Sequence, residues 1–239
     1  NTQSSSPLIL AKSCHDMDLL IWLTGKAPVS VSAYGSLSHF TSENAPIGGS
    51  KRCLDHCAVR ETCLYAPEKI YYPNIGRWPA SIVSPEGTEE GLTKALKEGP
   101  YGRCVYHCDN DVVDHMVMAI DFEDNITATF NLSAFTNEVN RSLKIMGTKG
   151  ELRGNDLANH ISVHVFGGEV VHYYPEAKAG GHGGGDTGIM DDFTAILHGE
   201  QAMALTSAEH SVSSHILCFA AEKSRLEGRR VTMNEMYST

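Results

Sequence analysis

The sequence predicts an α+β domain: an open, mainly antiparallel sheet with helices gathered on one face. Three observations predict it. Between residues 113 and 174, apolar and polar residues alternate in one short run after another. The turns between these runs are short, as antiparallel hairpins require. Helical patterns fall before and after this block and never between its strands.

Ser13 is the expected cap of the first helix. Leu19, Leu20, Trp22 and Leu23 give it an apolar side, and Gly25 stops it. Period-two alternation from Pro28 to Tyr34 predicts a strand. From Thr41 to Tyr72 the pattern breaks into an insertion rich in Gly, Pro and Cys, expected as a loop on the domain. Thr88 to Gly99 is a short capped helix with acids at its start, ended by Gly99-Pro100. Strands are expected at Val113–Phe122, Ile126–Phe135, Ser142–Gly147, Glu151–Arg153, His160–Phe166 and Glu169–Tyr174. The turns at Glu123–Asn125 and Gly167-Gly168 join two pairs of them. Helices at Thr187–Leu197 and Ser207–Leu226 close the chain, the second ending at Gly228. With no internal repeat and no compositional break, residues 1–239 read as one domain. Its sheet is expected to be covered on one side and open, or covered by a partner, on the other.

Composition excludes several function classes. Hydrophobic residues make up 41% of the 239 and charged residues 20%, which suits a packed globular core. The net charge is −10 and the Lys and Arg residues are scattered, so a phosphate-binding nucleic-acid surface is not expected. No apolar run approaches the roughly 18 residues that span a bilayer. The opening residues, Asn1 to Ser6, are polar and have no signal-peptide pattern. Seven cysteines, an odd number thinly spread, suit a reducing and hence cytoplasmic setting.

No Gly-x-Gly-x-x-Gly that follows a strand and opens a helix is expected, and no Walker-type loop is present, so a nucleotide-binding half is expected to be missing from this chain. The Gly-rich stretch from Gly180 to Asp186 lacks the strand and ribose-binding acid of a dinucleotide site, and Asp186 would repel phosphate. Two readings of it stand: a loop that brings His182 and Asp186 to a neutral, hydroxyl-rich ligand, or a permissive turn with Asp186 as helix cap.

Several segments taken together carry a resemblance. They are Ala11-Lys-Ser-Cys-His-Asp-Met-Asp-Leu-Leu, Tyr101-Gly-Arg-Cys, Asn110-Asp-Val-Val-Asp-His, Ile145-Met-Gly-Thr-Lys-Gly-Glu-Leu-Arg-Gly, the Gly181–Asp186 loop, and Ser207-Ala-Glu-His-Ser. In order and spacing they resemble the C-terminal domain of the glucose–fructose oxidoreductase/inositol dehydrogenase (Gfo/Idh/MocA) family, from Ser5 to Met233. The resemblance implies a substrate-binding and oligomerisation domain whose open sheet joins subunits into a homo-oligomer. It also implies that the chain is part of a longer enzyme with a Rossmann domain. That enzyme would use NAD or NADP to oxidise or reduce a sugar, cyclitol or related polyol.

The family's acid four residues before its histidine is absent: His15 matches the histidine, but Ala11 stands where the acid would be, next to Lys12. The departure leaves open a non-catalytic ligand-binding or scaffold protein. An NAD-using glycosidase is a third reading. Hydride transfer from a carbinol carbon needs a base for the hydroxyl proton, and His15 with Lys12 are the candidates. His15 is expected near its helix start, where the dipole would keep the imidazole neutral; Asp16 and Asp18 are expected in the first turn. Separately, Cys53-x3-Cys57-x5-Cys63 gathers three thiols, with Cys104 and Cys108 downstream. The pattern admits a structural zinc site on Cys53, Cys57, Cys63 and Cys104, with Cys108 in reserve, and equally a loop of reduced thiols.

Overall fold

The computed structural model of the chain describes residues 1–176, 181–201, 203 and 207–238. In chain order its elements are α1 (Leu8–Thr24), β1 (Pro28–Ser36), α2 (Pro67–Ile70), α3 (Ala80–Val83), α4 (Glu89–Glu98), β2 (His115–Phe122) and β3 (Thr127–Ser133). Then come β4 (Ser142–Gly147), β5 (Gly150–Asn155), β6 (His160–Val165), β7 (Val170–Tyr173), α5 (Gly185–Leu197), α6 (Ala208–Glu227), β8 (Val231–Thr232) and α7 (Met233–Tyr237). The fold is α+β with antiparallel strand pairing, as the alternation predicts. The strands, however, form two four-stranded sheets, β3-β2-β1-β8 and β4-β5-β6-β7. They belong to two compact units, residues 1–134 with 214–239, and residues 135–213. Among the described residues no helix is long and apolar enough to cross a membrane.

In the first unit β2 shows how the sequence pattern makes the core. Met116, Met118, Ile120 and Phe122 are buried, while the intervening His115, Val117 and Ala119 point outward. Against the buried set pack Ile9 and Met17 of α1, Val31 and Ala33 of β1, and Leu217, Cys218, Ala220 and Ala221 of α6. Each large apolar side chain fully removed from water contributes about 1.5–3 kcal/mol, so this layer of helices on sheet carries most of the unit's cohesion. The helices cover one face of the sheet; Tyr34 and Val117 remain exposed on the other.

Helix α1 starts earlier than the capping pattern suggests. Pro7 precedes its first residue, and Ile9, Ser13 and Met17, spaced by four, are its buried stripe. Ser13 therefore lies in the helix interior and caps nothing. Gly25 ends the helix as expected, at φ 60° with its N–H bonded to the Ile21 carbonyl. Helix α4 also matches its pattern: the Thr88 hydroxyl accepts the Gly91 N–H at 3.2 Å, and Glu89 and Glu90 fill the first turn.

The insertion at 41–72 forms only single turns and the short α2. A small second cluster lies beside it, in which Ala80, Leu92 and Leu96 are buried with Leu54, Tyr71, Tyr72, Ile75 and Val83 around them. Arg52 ties the two parts by donating to the Leu96 and Gly99 carbonyls at 2.8 and 2.6 Å. Gly102 completes this junction. A Cβ there would lie 1.6 Å from the Leu96 carbonyl oxygen, so no other residue fits.

In the second unit the register places Lys144, Arg153, Ser162 and His172 in one row and Met146, Glu151, His164 and Val170 in the next. The opposite face carries Leu143, Ile145, Leu152, Ile161, Val163, Val171 and Tyr173. Of these, Ile145, Val171 and Tyr173 are exposed. On the polar face Lys144 pairs with Glu151 at 2.9 Å, and the His160 and His172 rings stack with Nε2 and Nδ1 2.9 Å apart.

Candidate active-site face and thiol cluster

The outward side of α1 presents Ala11, Lys12 and His15, all exposed. Residues three and four apart on a helix are surface neighbours, so the three form one patch. Trp22, seven positions beyond His15, continues the same side and is 75% exposed. Cys14 Sγ lies 3.3 Å from His15 Nδ1. Because α1 begins at Leu8, His15 sits about two turns inside it, beyond the first turn where the helix dipole acts. The dipole expectation for His15 is thus corrected, and Asp16 and Asp18 are not first-turn acids either. What the helix supplies is position: Lys12 and His15, three residues apart, share one exposed side of it.

His182 and Asp186 are also brought together. His182 Nδ1 lies 2.8 Å from Asp186 Oδ1, with both side chains exposed. The turn Gly181–Gly184 leads into α5, whose cap is Gly184 at φ 89°. Asp186 stands within the first helical turn, so the cap reading of this residue does not hold, although an acid is favourable there. Gly180, where the loop was expected to begin, lies outside the described residues. Lys12 and His15 belong to the first compact unit, His182 and Asp186 to the second.

The four cysteines singled out by spacing line one cavity of ≈20 Å³, together with Tyr106 and Arg60. A single antiparallel bridge, Arg52 to Arg103, sets this up. Beside it Cys53 N–H bonds the Gly102 carbonyl at 3.0 Å and Cys104 N–H bonds the Lys51 carbonyl at 2.9 Å, so the two cysteines are neighbours. Cys63 N–H bonds the Val59 carbonyl at 2.8 Å, closing the turn that returns it to the cavity. Burial pushes the Cys53 thiol up to about 11, and the nearby Cys104, Cys63 and Cys57 add to the shift. Cys57 moves the other way. Burial would raise it, but hydrogen bonds from the Ser50 and Val59 backbone and the Ser50 side chain outweigh that and lower it.

Cys108 is not part of the cluster: it is absent from the cavity lining, and its thiol donates to the Val105 carbonyl at 3.4 Å. Residues 104–108 form a turn rather than an extended run, so no alternation places Cys108 with Cys104. Among the described residues, no three His, Cys, Asp or Glu side chains already stand where they could hold a metal ion.

One buried group escaped the sequence reading. The side chain of Asp114 is 1% exposed. Its Oδ2 accepts the N–H groups of Ser38, His39 and Phe40 at 2.9, 2.7 and 3.4 Å; its Oδ1 accepts the Ser38 hydroxyl at 3.2 Å and faces His115 Nδ1 at 2.8 Å. Burial alone would raise its pKa, but the bonds from His39, His115, Ser38 and Phe40 outweigh that and bring it to about 2. His39, fixed by this clamp, lies 3.1 Å through Nε2 from the Tyr106 hydroxyl, and Tyr106 lines the thiol cavity. The only signal for Asp114 was its place in the Asn110–His115 segment, just ahead of a strand.

Comparison with known proteins supplies what geometry alone does not. The model of the oxidoreductase family C-terminal alpha/beta domain (GFO_IDH_MocA_C) matches residues 1–233. YteT of Bacillus subtilis, provisionally named an oxidoreductase, is 28% identical over 207 residues, covering 80% of this chain and 47% of YteT. An oxidoreductase from Agrobacterium radiobacter, solved in complex with NAD+, L-tartaric acid and magnesium, superposes with a TM-score of 0.57 at 14% identity, covering 96% of this chain and 50% of that one. The super-repressor mutant of Gal80p from Saccharomyces cerevisiae also superposes with a TM-score of 0.57, at 11% identity, covering 97% of this chain and 50% of that one. The chain thus spans about half the length of the relatives it matches.

Proposed function

The chain belongs to the Gfo/Idh/MocA oxidoreductase family, as its C-terminal alpha/beta domain, and from that premise we propose that it is the substrate half of an NAD(P)-dependent dehydrogenase or reductase. Its substrate is a sugar, cyclitol or related polyol. The observation that carries the reading is the α1 patch, where Lys12 and His15 share an exposed helix side at the segment that resembles the family's histidine motif. An imidazole there can take the proton of a carbinol as hydride leaves its carbon, and a neighbouring ammonium can hold the hydroxyl or the developing alkoxide. The cofactor, when bound by the other half of the longer protein, would accept the hydride. The His182–Asp186 pair offers a donor and an acceptor suited to hydroxyl groups. The NAD+ and tartaric acid bound by the Agrobacterium protein are consistent in kind with this chemistry.

Ala11 favours a second reading. Ala11 stands where the family motif has an acid four residues before the histidine, and a protein of this fold could bind ligand without turning it over. Turnover separates the two. The longer protein, given NAD+ or NADP+ and a panel of aldoses, cyclitols and polyols, is expected to produce reduced cofactor with at least one of them. Saturable ligand binding with no reduced cofactor from any member would favour the non-catalytic reading. The reading also puts a subunit contact on the apolar face of β4–β7; sedimentation of the chain as a monomer at micromolar concentration would remove that contact from it.

A further inference from the structure

We propose that Cys53, Cys57, Cys63 and Cys104 bind one zinc ion as a four-thiolate site that fastens the 41–72 insertion to the segment at 104. The first support is convergence. Three of the thiols come from one irregular loop and the fourth from a distant segment, yet all four line a single cavity of ≈20 Å³, room for about one water molecule. The Arg52–Arg103 bridge holds Cys53 beside Cys104, which spacing alone could not have arranged.

The second support is the chemistry of the donors. The metal-binding groups that line the cavity are all sulfur, and Glu68, whose charge acts on Cys53, is engaged by Arg60. Sulfur-only sites select zinc over calcium or magnesium, which require oxygen ligands. Backbone N–H groups of Ser50 and Val59 bond the Cys57 sulfur. Donors aimed at a sulfur that carries negative charge are what a metal-bound thiolate needs around it.

The third support is the weakness of the insertion without a metal. Its regular structure is a few single turns, and Ile47 and Leu64 are 99% and 73% exposed. As they stand, no three of the thiols grip an ion, so binding includes drawing them inward. That closure makes metal-binding energy into folding energy for the loop. Binding forms four Zn–S bonds as each thiol still protonated gives its proton to solvent.

The test is metal analysis of protein purified without chelator, together with thiol counting. About one zinc per chain is expected, with four thiols shielded from a thiol reagent until the metal is stripped. Because Cys53→Ser could weaken the fold as well as the site, the wild-type protein is also stripped, reduced and reloaded with Co²⁺. The sulfur-to-cobalt charge-transfer band and the visible bands of tetrahedral cobalt thiolate are expected. Cys108→Ser should retain both zinc and spectrum, while Cys63→Ser should lose the four-thiolate spectrum. Less than about a tenth of a zinc per chain, with no cobalt–thiolate spectrum after reduction, overturns the proposal. So does a Cys53–Cys104 disulfide in the purified protein that, once reduced, takes up neither metal.

Discussion

Replacing His15 with alanine in the longer protein is expected to lower turnover by roughly a hundredfold or more, the usual contribution of a positioned acid or base. The side chain is exposed on α1 and forms no part of the buried stripe of Ile9, Ser13 and Met17, so the substitution should leave stability nearly unchanged. That separation makes the experiment informative, because a drop in turnover cannot then be assigned to unfolding. Lys12→Ala is expected to act differently. An ammonium that holds the substrate hydroxyl contributes to binding as well as to chemistry, so kcat should fall and KM should rise together. Melting temperature and the steady-state constants of both variants, measured across pH, provide the check. Near-normal turnover for His15→Ala at every pH would remove the proton-transfer role from this residue.

Asp114→Ala should produce the largest loss of stability, about 3–5 kcal/mol. The carboxylate gathers the Ser38, His39 and Phe40 N–H groups and the Ser38 hydroxyl, and alanine would take away the shared acceptor of these part-buried donors. Its titration gives a second readout. The folded pKa, about 2, lies below the ordinary 3.8, so the charged form is favoured by folding. The resulting stability, about 2 kcal/mol, is fully present above the unfolded value. It is lost as pH falls through the folded one. Urea unfolding between pH 5 and pH 2 should therefore show a decline in the wild type that is shallower in Asp114→Asn, where the acid titration is gone. A loss under about 1 kcal/mol for Asp114→Ala, or identical pH slopes, would show that the clamp is not what holds residues 38–40 to the strand start.

What could be read from the sequence was local. Gly25 ending α1, Thr88 capping α4 and the hairpin turns at Glu123–Asn125 and Gly167 depend on neighbours a few residues away, and each was legible. Alternation also located the strand β2, because period two is a property of the strand itself. It does not say which strand pairs with which, and so the division into two sheets was hidden. The same limit concealed β8, two residues long, which exists only because Val231 pairs with Val31 at the edge of β1. The start of α1 was misread because a serine offers a cap wherever it stands; only the buried stripe shows that Ser13 is interior.

The candidate sites follow the same rule. Lys12 with His15, and His182 with Asp186, are pairs at helical spacing; Lys12 and His15 are both exposed on α1, and His182 Nδ1 lies 2.8 Å from Asp186 Oδ1. The thiol cluster was half legible. Three cysteines in one loop invite the idea of a site, but Cys104 joins them only through the Arg52–Arg103 bridge, a contact between segments far apart in sequence. The Asn110–His115 segment pointed to the neighbourhood of Asp114 but not to its role, since its donors at 38–40 are supplied by the return of β1 alongside β2.

The division of labour proposed for the longer protein is tested most directly by titrating NADH into two samples, this 239-residue chain and the longer protein, and following the cofactor's fluorescence. The Gly-rich stretch at 180–186 lacks the partners of a dinucleotide site, and among the described residues both sheets are antiparallel, without a parallel crossover. Saturable binding by the longer protein and none by the chain is the expected result. Micromolar binding by the chain alone would contradict its assignment as the substrate half, and no binding by the longer protein would contradict dependence on a nicotinamide cofactor.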